Sequence, residues 1–333
     1  MKILVTGGLG FIGSNFIRYL LSRNNDVEIT NLDNLSIGSN PASLSGLEGE
    51  QRYRFIEGDV TDYGLVSKLV KDSQAVINIA AETHVDRSIS NPNLFFTSNT
   101  MGTFVLLEAI RKNNTKAIYE QVSTDEVYGD IMEGSFEEDD RLKPSSPYAA
   151  SKAAADMFVL AYYRTYGLKT MVTRCTNNFG PFQFPEKLVP KTIIRASMDL
   201  KTPIYGTGKQ VRDWIYVLDH CEALRLILSK GEPGEIYNIA GGNEIENIKL
   251  VQTLLDTMGK PRELIEYVED RPGHDVRYSL DCSKIQKKLG WKPSHPFAES
   301  IKETVNWYLK NESWWRPLAD GRVLHPTPWK LKW

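Results

Sequence analysis

The 333-residue chain is 41% apolar and 25% charged with a net charge of −2, long enough for a large core and without the basic excess that holds nucleic acid or an anionic membrane; a local basic pocket stays open. No apolar run approaches the roughly 20 residues that span a bilayer, and MKILVTGG enters a strand-like run with no room for a signal peptide, so a cytoplasmic location is expected. Cys175, Cys221 and Cys282 are far apart and odd in number, and the five histidines show no ligand spacing, so reduced thiols and no metal are expected.

In chain order, KILVT (2–6) reads as a strand, TGGLG as a tight turn, and FIGSNFIRYLLSR as an amphipathic helix with apolar residues recurring at three and four. Gly8, Gly10 and Gly13 fit one dinucleotide-binding spacing and Gly7, Gly10 and Gly13 a looser one, so the register is open. Either way, the backbone can approach a pyrophosphate and present a helix amino terminus to its charge. VEITNL (27–32) is the second strand, and Asp33 follows it, twenty residues after Gly13. A carboxylate there accepts from the ribose hydroxyls of NAD and repels the extra phosphate of NADP, which selects NAD over capping of the turn DNLSIG.

RYRFIEG (52–58) and AVINIA (75–80) are the third and fourth strands, and Asp59 with Val60, and Ala80 with Ala81, end them on the edge where a dinucleotide lies. NTMGTFVLLEAIRKN is a second amphipathic stretch. KAIYEQVS (116–123) then runs into Thr124, Asp125 and Glu126, a hydroxyl and two adjacent acids where a buried strand ends. A solvated turn is the plain alternative for such a triplet.

Tyr148 and Lys152 lie four apart on the helix-forming run SPYAASKAAADMFVLAYY, hence on one face, where the ammonium can sit near the phenol. A phenol of pKa about 10 needs roughly three units of lowering, about 4 kcal/mol, to act as a base near neutrality. Tyr205 and Lys209 repeat the spacing across Gly-Thr-Gly, which reads as a loop and an accident. KTMVTR (169–174) closes the alternation, which predicts an α/β fold with a doubly wound parallel sheet. Residues 1–178 are expected to form this domain and 179–333 a smaller, interleaved mixed α/β lobe, with 212–217 and 235–240 returning as sheet strands. The acidic run at 137–140 reads as a solvated face, and Trp314, Trp315, Trp329 and Trp333 as packing against the body or a second subunit.

TGGLGFIG, the Asp33 strand end, Ser123 with Thr124, and Tyr148 with Lys152 resemble the extended short-chain dehydrogenase/reductase family. CTNNFGP (175–181), RDWIYVLD (212–219) and RPGHDVRY (271–278) look like its nucleotide-sugar branch, and STDEVYG with AAETHVDRS (80–88) is most similar to the dTDP-glucose 4,6-dehydratases. The resemblance implies a Rossmann fold, tightly bound NAD, and conversion of dTDP-glucose to the 4-keto-6-deoxy sugar. It implies Tyr148 as the base at carbon 4, assisted by Lys152 and Thr124, Glu126 as the base at carbon 5, and Asp125 as the acid to the leaving hydroxyl.

On the cofactor side it adds Phe11, Ile12, Asn34, Ser36, Thr83, Asn99 and Asn178. On the substrate side it implies Thr83, Asn177, Glu186, Lys187, Leu188, Pro203, Tyr205, Arg212, Asn247, Arg271 and His274, with arginine forks suited to phosphate. It also implies a homodimer joined as a four-helix bundle through 94–112 and 148–166. The adjacent acids are the feature that a 4-epimerase does not need; a 4-epimerase, a decarboxylase and UDP-glucose as the substrate stay as alternatives, and the intact Tyr148, Lys152 and Thr124 with both acids speak against a non-catalytic NAD sensor.

Overall fold

The computed structural model describes residues 1–333. Its strands are β1 (Lys2–Thr6), β2 (Glu28–Asp33), β3 (Tyr53–Glu57), β4 (Ala75–Asn78), β5 (Ile118–Thr124), β6 (Lys169–Cys175), β7 (Asn177–Phe179), β8 (Thr202–Tyr205), β9 (Val211–Tyr216), β10 (Ile236–Ile239), β11 (Glu244–Glu246) and β12 (Ile265–Val268). Seven of them form one sheet in the order β10-β6-β5-β4-β1-β2-β3, parallel at every pairing. The order reverses between β1 and β4, which opens a crevice at the carboxyl ends of these strands.

Alternation along each strand explains why both faces are covered. Ile3 and Val5 join an apolar layer with Phe16, Ile17, Leu20, Leu224 and Ile227, whereas Leu4 joins Val76, Leu106, Ile110 and Val159 on the opposite face. The first helix, Phe11–Arg23, has the bounds read from its periodicity. The second amphipathic stretch is helical from Gly102 to Asn113, entered through a π-helical turn at Phe96–Met101.

The lobe has its own core, in which Phe179, Ile193, Trp214, Tyr216, Leu254 and Tyr308 pack together. Here the strand expected at 212–217 departs from the reading. β9 is the centre of a separate three-stranded sheet between β11 and β7, because Trp214 and Tyr216 belong to the lobe's core. Only β10 returns to the large sheet, beside β6, so the chain does interleave. A cut at 178 falls inside β7, which belongs to the small sheet.

The acidic run is not wholly solvated. Glu138 is buried and accepts the Asn238 amide at 3.0 Å, using its carboxylate to cap the sheet's last strand. Trp314, Trp315 and Trp329 are buried against the body of this same chain. Tyr205 ends β8 and Lys209 is exposed beyond a Gly-Thr-Gly turn, so that pair shares no helix. No helix is long and apolar enough to cross a membrane.

Candidate active site

β1 delivers the chain to Gly7, whose φ of +72° favours a residue without a side chain. A β-carbon on Gly7 would sit 2.6 Å from Ala80 Cα, and one on Gly13 would sit 2.2 Å from the Gly7 carbonyl oxygen. Gly10 precedes the helix Phe11–Arg23 with no side-chain cap, leaving the first amides of the helix turned to the crevice. Gly7, Gly10 and Gly13 line the cavity, whereas Gly8 packs on Asn31 and Ile17. The glycines of the looser spacing are thus the ones that line the cavity.

Phe11, Ile12, Asp33, Asn34, Ser36, Val60, Ala80 and Ala81 line the same cavity. The Asp33 carboxylate accepts from Leu9 N at 2.9 Å, Leu35 N at 2.9 Å and Ser39 Oγ at 2.7 Å, so it braces the turn as well as facing the crevice. Two expected cofactor residues do not reach the wall. Asp59 is drawn aside by Asn34 Nδ2 at 2.8 Å and Thr61 Oγ1 at 2.6 Å. Asn99 is buried behind it, its amide committed to the Glu82 main chain at 2.8 and 3.0 Å and to Ser151 Oγ at 2.9 Å.

Thr124 ends β5 and caps a three-residue 3-10 turn, Asp125–Val127, whose two acids line the cavity while Val127 packs with Tyr128, Ala153 and Leu280. The Thr124 hydroxyl donates to Asp125 Oδ1 at 3.1 Å and accepts Glu126 N at 3.3 Å. Asp125 is 2% exposed and its Oδ2 has no partner within the chain. Burial, then the Glu126 carboxylate, push its pKa well above the usual range, which favours its neutral form. Glu126 is half-buried and also raised by desolvation, but Arg271, Arg212 and Lys187 oppose the rise. Adjacent acids thus stand in unlike environments.

Tyr148 and Lys152 both line the cavity from the helix Pro147–Tyr166, which Ser146 caps through its hydroxyl. The hydrogen bond that the Lys152 ammonium makes goes to the main chain of β5 and not to the phenol. Lys152 Nζ donates to the Val122 carbonyl at 2.5 Å, and burial, then Glu126, hold the Tyr148 phenol well above its ordinary pKa. The protein's own charges therefore do not lower it.

A second cavity continues from the first, and Thr83, Glu126, Asn177, Asn178, Glu186 and Lys187 line both. Its walls add Leu188, Pro203, Tyr205, Arg212, Asn247, Arg271 and His274, so the expected substrate residues come together from β8, β9 and the loops around 187, 247 and 271. Asn177 Oδ1, Asn247 Oδ1 and Arg271 Nε are buried polar atoms without partners in the chain. Arg212 donates to the carbonyls of Val211 at 2.7 Å and Asp275 at 2.8 Å and lies 4.3 Å from the Tyr278 ring centre.

A family model described as GDP-mannose 4,6 dehydratase matches residues 4–304. The chain belongs to this family. A family relative, a dTDP-glucose 4,6-dehydratase of Xanthomonas campestris pv. campestris, is 48% identical over 96% of each chain. A dTDP-glucose 4,6-dehydratase of Streptomyces venezuelae, solved with NAD and dTDP bound, is 44% identical over 96% of this chain and all of its own, with a TM-score of 0.94. The UDP-glucuronic acid 4-epimerase of Bacillus cereus, solved with NAD, is 27% identical over 93% of this chain and 99% of its own, with a TM-score of 0.88. A fold shared by dehydratases and epimerases leaves the choice of reaction to side chains.

The family resemblance did not lead to the network under the second cavity. Asp86 accepts Arg271 Nη1 at 2.9 Å and Tyr205 Oη at 2.9 Å, while Arg87 bonds Glu82 at 2.6 Å and lies 3.2 Å from Glu186. All five of Glu82, His84, Asp86, Arg87 and Lys191 are buried. One signal was available: His84, Asp86 and Arg87 crowd the start of the helix Val85–Ser90 after β4 just as Thr124, Asp125 and Glu126 crowd the tip of β5.

Proposed function

We propose that this chain is an NAD-dependent nucleotide-sugar 4,6-dehydratase that converts dTDP-glucose to dTDP-4-keto-6-deoxyglucose. One observation carries the reading: Thr124, Asp125, Glu126 and Tyr148 share one cavity wall, with the two acids in different electrostatic settings. A 4-epimerase needs only the tyrosine, lysine and hydroxyl set. The acid pair is what elimination of water adds.

The glycine cradle fits a pyrophosphate, since Gly7 and Gly13 leave no room for β-carbons, and Asp33 fits an unphosphorylated ribose. When bound, NAD supplies the hydride acceptor for carbon 4, the donor for carbon 6, and a positive ring that favours a tyrosinate.

The hydrogen at carbon 5 is not acidic until carbon 4 is a ketone, so oxidation comes first. Tyr148 takes the proton of the carbon 4 hydroxyl while Thr124 holds that oxygen. Glu126 then removes the carbon 5 proton, and Asp125, whose neutral form burial favours, hands its proton to the hydroxyl leaving carbon 6; once carbon 6 has its hydride, Glu126 returns the proton to carbon 5. Lys187, Arg212 and Arg271 face the diphosphate, and the buried oxygens of Asn177 and Asn247 await donors that a nucleotide sugar carries.

The same reading includes a homodimer and a cytoplasmic location. Leu94, Phe96, Met101, Met157, Phe158, Tyr163 and Tyr166 are exposed along 92–113 and 147–166, an apolar stripe that a second copy would cover as a four-helix bundle. Incubation with dTDP-glucose and UDP-glucose, followed by mass spectrometry and absorbance, tests the function. The expected product has lost one water without accumulation of NADH. An isomer of unchanged mass would replace the dehydratase with an epimerase.

A further inference from the structure

The last nine residues end beside the second cavity. Trp329 is buried, its ring 4.7 Å from that of Tyr205 at 76°. Tyr205 in turn donates to Asp86, which also holds Arg271. The His325 carbonyl accepts Lys191 Nζ at 3.3 Å, and Lys191 is a buried cation of the cavity wall. Trp333 lies 5.8 Å from the Arg87 guanidinium, which sits between Glu82 and Glu186, and its carbonyl accepts Asn91 Nδ2 at 3.4 Å. The segment's other bonds outside itself go to Glu269 and Arg322. None of these contacts reaches the glycine loop, Asp33, or the tip of β5.

We infer that residues 325–333 form a strap that positions Tyr205, Lys191 and Arg87, and through them Arg271 and Glu186, for the nucleotide sugar. Without the Trp329 face, Tyr205 keeps only the more distant His274 ring, at 6.2 Å, to steady its hydroxyl on Asp86, and Arg271 is aimed by a less firmly anchored carboxylate. Removing the His325 carbonyl frees the Lys191 ammonium, which burial and the opposing charges of Asp86 and Glu186 hold at a pKa of about 8. These are positioning residues; the strap touches no reacting atom. The inference rests on the second cavity being the nucleotide-sugar site.

The test compares the full chain with Trp329→Ala, Trp329→Phe and a chain ending at Leu324, which lacks the whole strap and the His325 carbonyl. Each is assayed for bound NAD, dTDP affinity by calorimetry, thermal midpoint, and KM and kcat with dTDP-glucose. Trp329→Ala and the shortened chain should raise KM and weaken dTDP binding about tenfold, the upper worth of an edge-to-face aromatic pair. Retained NAD, kcat within about threefold, and recovery of most of the loss in Trp329→Phe complete the expected pattern. KM and dTDP affinity unchanged in Trp329→Ala would overturn the strap, and so would a parallel loss of NAD, kcat and folding, which a merely structural tail produces. If the full chain itself leaves both dTDP-glucose and UDP-glucose intact, the functional reading fails and the strap falls with it.

Discussion

Around Gly7, Gly10 and Gly13 the cavity wall is main chain and small side chains, shaped by what is missing. Around Arg271 and Glu186 it is a lattice of charged side chains, each aimed by a neighbour from a distant part of the chain. The first half selects by steric fit and helix amides, so a single methyl matters. The second selects by charge held in a dry place, where a mispaired group is costly. The β5 tip stands at the seam between them, lining both cavities through Glu126.

The largest expected effect is at that seam. Tyr148→Phe removes the base for carbon 4 and should cut single-turnover NADH formation by about 10²–10⁴-fold with both ligands still bound; normal NADH formation would exclude the assignment. Glu126→Gln keeps the shape and should slow loss of water about 10²-fold while dTDP affinity holds. Equal losses in rate and binding would make Glu126 a substrate clamp and blur the contrast between the halves.

Gly13→Ala sharpens it. A β-carbon 2.2 Å from the Gly7 oxygen forces the helix Phe11–Arg23 away from the turn, at a cost of about 1–3 kcal/mol. The purified variant should carry roughly tenfold less NAD yet bind dTDP as before, and unchanged NAD content would remove the steric account.

The last effect is a pH dependence that the charged half shares with His220 on the helix Val217–Lys230, which burial lowers to about 3. Burial lowers His84 and His274 to about 4 each, in His84 against Glu186 and Asp86 and with Lys187 and Lys191, in His274 with Arg271 and Arg212 and against Asp270. Unfolded histidine titrates near 6.5, so the unfolded chain binds more protons between roughly pH 6.5 and 4. Stability is present above that window and is lost as pH falls through it, by up to about 1.4 kcal/mol per pH unit for each ring. Urea melts at pH 7 and 5 should show His84→Gln losing less than the parent; equal losses would contradict the buried neutral ring.

The same contrast explains what could be read without coordinates. Local spacing carries the cradle: Gly7, Gly10, Gly13 and Asp33 lie within 27 residues and need only a strand, a turn and a helix between them. Tyr148 and Lys152 were legible as helix neighbours, but the bond from Lys152 to the Val122 carbonyl was not, because 30 residues separate them. Arg271 meets Asp86 across 185 residues, and no periodicity announces such a pair. Strand type was equally readable in β9 and β10, yet sheet membership followed from Trp214 and Tyr216, whose packing is non-local. Glu138 went unread for a similar reason, since nothing beside it in sequence reveals the Asn238 amide it caps.

The three-residue turn at the end of β5 has a geometric corollary. A 3-10 winding advances about 120° per residue, so Asp125 and Glu126 leave the backbone in divergent directions. On the proposed reading, consecutive numbering serves carbon 5 of the ring and the exocyclic carbon 6 beside it, and transposing the pair would exchange their reach as well as their length, leaving each proton one carbon out of place.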